Sequence, residues 1–191
     1  MLGMAMMVFA LGGISTWMPT FLNRFAGMSV GKAGTILGAI TVVDGLAGTA
    51  IGGWLAQRWL RTDHRALYLL SAWSMFLTLP LAALVFFGPT QWSIPALFGA
   101  EFFLFLNTGP LNAAICNSVS SQVRSTAIAL NLFLIHALGD AFSPQIIGHF
   151  SSIANSNLRI GLGLTLVTLI LSGIVLFVGA RFAPRLEKAV L

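Results

Sequence analysis

Charge is what this sequence has least of. Only 8% of its 191 residues are charged, and five of those are acidic; a soluble domain usually carries about 25% charged residues. With 57% hydrophobic residues, most of the surface has to face lipid, which excludes an ordinary soluble fold. Cysteine is represented by Cys116 alone, so no internal disulfide can form, and no Cys/His spacing forms a metal site. A secretory signal needs a basic start and a small-residue cleavage site; the chain is apolar from Met1 and its first charge is Arg24, so no signal peptide is read. The net charge of +5 comes without any Lys/Arg cluster interleaved with aromatics, so it does not point to nucleic acid. No nucleophile, base and orienting group fall together, which argues against an enzyme and against a cofactor.

What is present is a series of apolar runs. A spanning helix needs about 20 mostly apolar residues, and six segments qualify: roughly 2–23, 32–57, 65–87, 93–118, 123–149 and 159–182. Short polar or Gly/Pro segments separate them, and none has the composition of a soluble domain, a linker or a low-complexity tail. The expected fold is an all-α, six-helix transmembrane bundle occupying residues 1–191 as one unit. An even number of spans puts both termini on one side. That side carries Arg58, Arg61, Arg65, Arg124, Arg181, Arg185 and Lys188, against Arg24, Lys32 and Arg159 opposite. The richer side is expected to be cytoplasmic, in a plasma or inner membrane. Trp54, Trp59 and Trp92 fall near span ends, where amphipathic rings sit at the interface.

Polar residues inside these spans are the functional candidates, because ionisable groups at membrane depth are costly and usually line pathways. Pro19 removes a backbone donor from the first span; it either ends that helix near the interface, the reading its position favours, or bends it to shape an external gate. In the second span Gly34/Gly38 and Gly48/Gly52 are each four apart, which lets a neighbouring backbone come close. Asp44 lies in mid-span and reads equally as a cavity or proton group and as a structural hydrogen-bonding group. Asp63-His64, in the following loop, reads as a solvated pair.

Glu101, Phe105, Thr108 and Asn112 are spaced by four, three and four, a single helical face, and are expected to line a cavity. Gly109-Pro110 interrupts this span at mid-depth, where a broken helix makes a hinge. His136, Gly139, Asp140 and Ser143 form a second face in the fifth span. There, a His136–Asp140 pair would either hold an anionic head group, exchange a proton, or act as a self-satisfied clasp between helices. Pro144 is expected to bend the outer half of that span. The sixth span is uncharged and reads as a lipid-facing support.

Two sets of residues carry a resemblance. Gly53-Trp54-Leu55-Ala56-Gln57-Arg58-Trp59-Leu60-Arg61 resembles the cytoplasmic loop motif of the major facilitator superfamily, Gly-x-Leu-Ala-Asp-Arg-x-Gly-Arg-Arg/Lys. Gly53, Leu55, Ala56, Arg58 and Arg61 match; Gln57 replaces the acid, Leu60 the second glycine and Thr62 the last base. More specifically, Glu101-x-x-Leu104-Phe105-Leu106-Asn107, Asn112, Arg124-Ser125-Thr126-Ala127 and His136-x-Leu138-Gly139-Asp140-Ala141-x-Ser143-Pro144-x-x-Ile147-Gly148 resemble the spinster-like branch of that superfamily. The resemblance covers the whole chain as the second half of a twelve-helix fold, the N-terminal half being absent.

It implies a secondary active, alternating-access exporter of an amphiphilic lipid, such as a lysophospholipid or sphingoid phosphate. Glu101 and His136 would lie in the cavity, with Phe102, Phe105 and Phe133 as apolar wall. The expected partners are the lipid bilayer, the substrate, and a missing N-terminal half or a second six-helix unit. Other readings are a drug or organic-anion transporter of the same fold, or a truncated membrane subunit that does not transport.

Overall fold

The computed structural model describes residues 1–184. Arg185 and Lys188, used above to orient the chain, lie outside the described residues. The first helix, α1 (Leu2–Ala26), is followed by α2 (Val30–Leu60) and α3 (Ala66–Phe87). The fourth span is split into α4 (Ser93–Leu106) and α5 (Thr108–Asn117). The fifth is split into α6 (Arg124–Ile135) and α7 (Ser143–Ile153), and α8 (Leu158–Gly179) closes the bundle. Among the described residues six segments are long and apolar enough to cross a membrane, and their bounds agree with the hydropathy pattern to within four residues.

Local chemistry sets the ends. Ser29 caps α2 by accepting from the Lys32 backbone N–H at 3.3 Å, filling one of the orphan donors of a helix start. At 31 residues and 1.5 Å rise, α2 is about 46 Å long, so its ends project beyond a hydrocarbon layer about 30 Å thick. α1 closes at Gly27, whose left-handed backbone (φ 66°) returns an N–H to the Leu22 carbonyl. Gly27 meets no other group there, and the left-handed turn is what calls for glycine.

Pro19 therefore does not end the first helix, as its position had favoured. It sits inside α1, which runs seven residues further to Ala26. A proline within a span is tolerated where neighbouring helices shelter the freed carbonyl, and Pro19 is half-buried.

Successive connections alternate between the two ends. At one end Arg24 donates to the Ser156 carbonyl at 3.2 Å, and the Thr90 hydroxyl reaches the Phe25 carbonyl at 3.4 Å. The Arg159 guanidinium lies 4.5 Å from the centre of the Phe25 ring. At the other end His64, Tyr68, Asn117 and Pro184 border one small hollow. The connections after α1, α3 and α7 thus share one end, and those after α2, α5 and α8 the other.

Packing is uneven. α8 lies against α1 and α3, burying Leu162, Thr165, Leu169, Ser172 and Leu176, and the Ser172 hydroxyl donates to the Gly3 carbonyl at 2.7 Å. The sixth span is thus more than a lipid-facing support: exposed residues such as Val167, Ile170, Leu171, Ile174 and Val178 lie on the side away from α1 and α3. By contrast, only 17% of the apolar window of the fifth span and 28% of that of the second are buried, against 50% for the first and fourth. The second and fifth spans are thus the ones whose side chains are left most uncovered.

The paired glycines of α2 divide. A β-carbon on Gly48 would stand 2.9 Å from the Phe102 carbonyl oxygen and one on Gly52 would overlap the Leu106 carbonyl, so both are needed where α4 crosses. Around Gly34 and Gly38 there is open space, and this pair packs nothing within the bundle.

Candidate functional site

The two interrupted spans carry most of the polar residues. In the fourth, Pro110 has no N–H to give the carbonyl four residues back, Leu106, and the helix breaks at Asn107 between α4 and α5. Asn107 is fully buried in the break, where its side-chain amide donates to the Leu104 carbonyl at 2.6 Å. Regular bonding resumes with the Leu111 N–H to the Asn107 carbonyl at 2.9 Å. Gly109 meets α2 closely, since a β-carbon there would sit 3.3 Å from the Thr49 carbonyl oxygen. The interruption expected at Gly109-Pro110 is present as a discontinuity at Asn107, one turn earlier than the proline itself.

In the fifth span His136–Asp140 forms a π turn, in which the Ala141 N–H bonds the His136 carbonyl five residues back at 3.0 Å. Such turns insert one residue into a helix. Gly139 within it is pressed on α1: a β-carbon there would lie 2.9 Å from Val8 Cγ1 and 3.0 Å from the Ala5 carbonyl oxygen. From the other side, a β-carbon on Gly12 would lie 2.5 Å from Asp140 Cβ. Two glycines thus let the turn and α1 interlock. Because of the inserted residue, the face expected from regular helical spacing is split. Gly139 and Ser143 are buried, Asp140 is half-buried and His136 points outward. Pro144 sits at the start of α7, where a missing N–H costs nothing, and its carbonyl accepts from the Trp17 indole at 2.9 Å. Pro144 therefore opens α7 and does not interrupt a helix; the regular helix is interrupted at the π turn before it.

His136 and Asp140 are bonded to each other: His136 Nδ1 stands 2.9 Å from Asp140 Oδ2 and 3.2 Å from Oδ1. An ionised carboxylate only accepts, so Nδ1 carries the proton toward it and Nε2 is left to face outward. The side chains are 63% and 38% exposed, and they open into a groove against α1 lined also by Val8, Leu11, Gly12, Ser15 and Thr16. This groove combines apolar walls, two hydroxyls and one polar pair, the makeup of an amphiphile site. Ser15 and Thr16 were missed from the sequence, although with Gly12 they form a polar stripe at helical spacing facing the turn.

The other predicted residues gather elsewhere. Glu101 and Asp44 are fully buried in the seam between α4 and α2, so neither lines an open cavity in this conformation. The physical reason is the tight crossing at Gly48 and Gly52, which closes that seam. Glu101 Oε2 accepts from the Thr41 hydroxyl at 2.8 Å. Thr41 was also missed, although it lies three residues before Asp44 on the same helical face. The Asn112 amide bonds the Thr108 carbonyl of its own helix at 3.0 Å. Phe105 is half-buried at Gly48 and Phe133 is exposed on α6, so the three phenylalanines do not form one wall. Glu101 and His136 are thus not brought into one pocket.

Gly53, Gly109 and Pro110 share a hollow with Ala56, Gln57, Leu60 and Ala113 beside the cytoplasmic-loop motif. Arg58 lies 5.8 Å from the centre of the Trp54 ring, and Arg58 and Arg61 border a shallow hollow with Gln57. No acid bridges these arginines among the described residues.

The fold these elements make is an all-α bundle that matches one half of a solved transporter. A solved bacterial homologue of the human lysosomal transporter Spinster, in an inward-facing and unoccupied conformation, superposes with a TM-score of 0.84 at 18% identity, over 98% of this chain and 48% of that one. In sequence, mouse (Mus musculus) protein spinster homolog 3 is 30% identical over 166 residues, 80% of this chain and 32% of that protein. The probable sphingolipid transporter spinster homolog 3 of Arabidopsis thaliana is 30% identical over 175 residues, 90% of this chain and 33% of that protein. The sphingosine-1-phosphate transporter SPNS2 of Xenopus tropicalis is 31% identical over 159 residues, 76% and 31%. No family model matches the chain.

The chain is a homologue of the spinster-like transporters of the major facilitator superfamily. It spans about a third of the length of these relatives and about half of the solved chain. Those homologues are transporters and not enzymes.

Proposed function

We propose that this chain forms one half of a secondary transporter working by alternating access, which exports an amphiphilic lipid such as a lysophospholipid or sphingoid phosphate. The observation that carries the reading is the His136–Asp140 pair, held by a π turn in a groove with apolar and hydroxyl walls. A polar pair at this depth on an outer face is costly against lipid, and an amphiphile head group would satisfy it. His136 Nε2 and the Ser15 and Thr16 hydroxyls would bond that head group, while Val8 and Leu11 would bear on its chain. The names of the Arabidopsis and Xenopus relatives agree with this substrate class.

In this account the uncovered side chains of the second and fifth spans meet a second six-helix unit, which supplies the opposite wall. The break at Asn107, with Gly109-Pro110, lets α4 and α5 change their relative angle as the halves rock. Pro19 gives the outer end of α1 similar freedom. The protein is multi-pass in a plasma or inner membrane, with the arginine-richer end, Arg58, Arg61, Arg65, Arg124 and Arg181, in the cytoplasm.

The test is flux of fluorescent or radiolabelled lysophospholipid and sphingoid phosphate from proteoliposomes containing the full-length protein. Export of either above empty liposomes supports the reading. Export of a drug or organic anion with no lipid flux would replace the substrate class and keep the transporter.

A further inference from the structure

We infer that the end of α2 around Gln57 holds an anionic membrane phospholipid, its phosphate on Arg58 and Arg61 and an acyl chain in the hollow beside Pro110. Two hollows meet there. One is about 420 Å³ and mostly apolar, bounded by Gly53 and Leu60 of α2, Leu67 of α3, and Pro110 and Ala113 of α5. Its size falls in the range of small-ligand sites, about 300–1,000 Å³. The other, about 70 Å³, lies against Trp54, Arg58 and Arg61. Gln57 borders both. Helical spacing makes them neighbours: 53, 56, 57 and 60 form one stripe of α2, and 54, 57, 58 and 61 the stripe beside it.

The arginines have no acid of their own. Among the described residues neither Arg58 nor Arg61 makes an ion pair, and Gln57 beside them is neutral. The nearest acid in sequence, Asp63, takes the Arg65 backbone N–H at 2.8 Å and faces His64 at 3.7 Å. Arg58 instead lies 5.8 Å from the centre of the exposed Trp54 ring. That cation–π contact holds the guanidinium at the surface, and guanidinium N–H groups fit phosphate oxygens in pairs.

Depth agrees. At about 46 Å, α2 exceeds the hydrocarbon layer by roughly 16 Å. Shared between the two ends, the excess is about five residues at each, which puts Arg58 and Arg61 among the head groups and Gly53 at the edge of the hydrocarbon. Tryptophan settles at the same level. Basic side chains at the surface beside an apolar hollow complement a lipid phosphate and its chain. A carboxylate from a second six-helix unit would answer the arginines but leave the hollow empty. No residue of the His136 groove borders either hollow, so this site stands whether or not that groove carries the transported lipid.

The test is native mass spectrometry of the full-length protein in detergent, titrated in parallel with dioleoyl phosphatidylglycerol and dioleoyl phosphatidylcholine. The inference expects phosphatidylglycerol to be retained about fivefold better, the effect of about one basic residue on an anionic lipid. An Arg58→Gln/Arg61→Gln double variant should lose that preference. A β-carbon on Gly53 meets nothing within 4 Å, so Gly53→Leu should fill the hollow and weaken retention of phosphatidylglycerol. Arg124→Gln, at the same end, should leave it unaltered. Glycerol phosphate, a head group without chains, should not displace the lipid at equal concentration. Equal retention of the two lipids, or a preference unaltered in the double variant, would overturn the inference. Displacement by glycerol phosphate would overturn it too, by making this a site for free phosphate esters. So would a wild type that retains no phosphatidylglycerol while the double variant melts lower, the mark of an acidic side chain on the other six-helix unit. If the double variant fails to fold, Gln57→Asp decides. It sets a carboxylate one turn from Arg61 at an exposed position, and an unaltered preference there would overturn the inference.

Discussion

The carbonyl oxygen of Leu106 occupies the space that a β-carbon on Gly52 would need. The contact joins two features that look unrelated in sequence. Pro110 frees the Leu106 carbonyl because it has no N–H to offer, and Gly52, in another span, is the residue small enough to receive the backbone there. Together they fix the crossing of α2 and α4, and with it the burial of Asp44 and Glu101.

Substitution of these glycines should therefore separate sharply by position. Gly52→Ala is expected to destabilise the protein by at least about 1–3 kcal/mol through overpacking, read as a lower melting temperature in detergent. Gly34→Ala and Gly38→Ala, which face open space, should change it little. Equal losses at all three would show that the α2–α4 crossing is not as tight as described.

Pro110→Ala restores a backbone donor opposite Leu106. The variant is expected to keep or gain thermal stability while its transport rate falls several-fold, because a continuous fourth span loses its hinge. Flux and melting measured on the same preparation check this; unaltered flux would make the break at Asn107 a packing feature only.

Trp17→Phe keeps an aromatic ring against Gly148 but removes the bond to the Pro144 carbonyl. A loss of about 1 kcal/mol is expected for one hydrogen bond, visible as a modest drop in melting temperature with transport retained.

Binding of an anionic head group should depend on His136, whose Nδ1 is engaged by Asp140. His136→Ala is expected to weaken binding at least tenfold, and His136→Gln, which keeps a hydrogen-bonding side chain, to weaken it less. Binding titrations on folded protein check both; unaltered affinity in His136→Ala would return His136 to a structural clasp.

Much of the architecture was legible because lipid leaves the chain few options: six apolar runs with polar breaks can only be six helices. Pro19 misled because a proline's effect depends on the neighbours that shelter the freed carbonyl, whereas Gly27, with its left-handed turn, was the real terminator. The break in the fourth span was visible from the chemistry of Pro110 alone. The π turn was not, since an inserted residue leaves no periodic mark. It turned an expected face of His136, Gly139, Asp140 and Ser143 into one exposed, one half-buried and two buried positions. Glu101 and Asp44 were recognised as costly, but only the packing at Gly48 and Gly52 places them in a closed seam instead of a cavity. Thr41, Ser15 and Thr16 were missed because single hydroxyls in apolar sequence are common, and only their partners single them out.

The most direct measurement is lysophospholipid and sphingoid-phosphate flux from proteoliposomes, comparing the full-length protein with its His136→Ala and Asp140→Asn variants, all shown to be folded. The account predicts lipid export by the wild type, reduced at least tenfold in His136→Ala and clearly impaired in Asp140→Asn. Lipid flux undiminished in both variants would contradict the assignment of the His136–Asp140 groove as the substrate site.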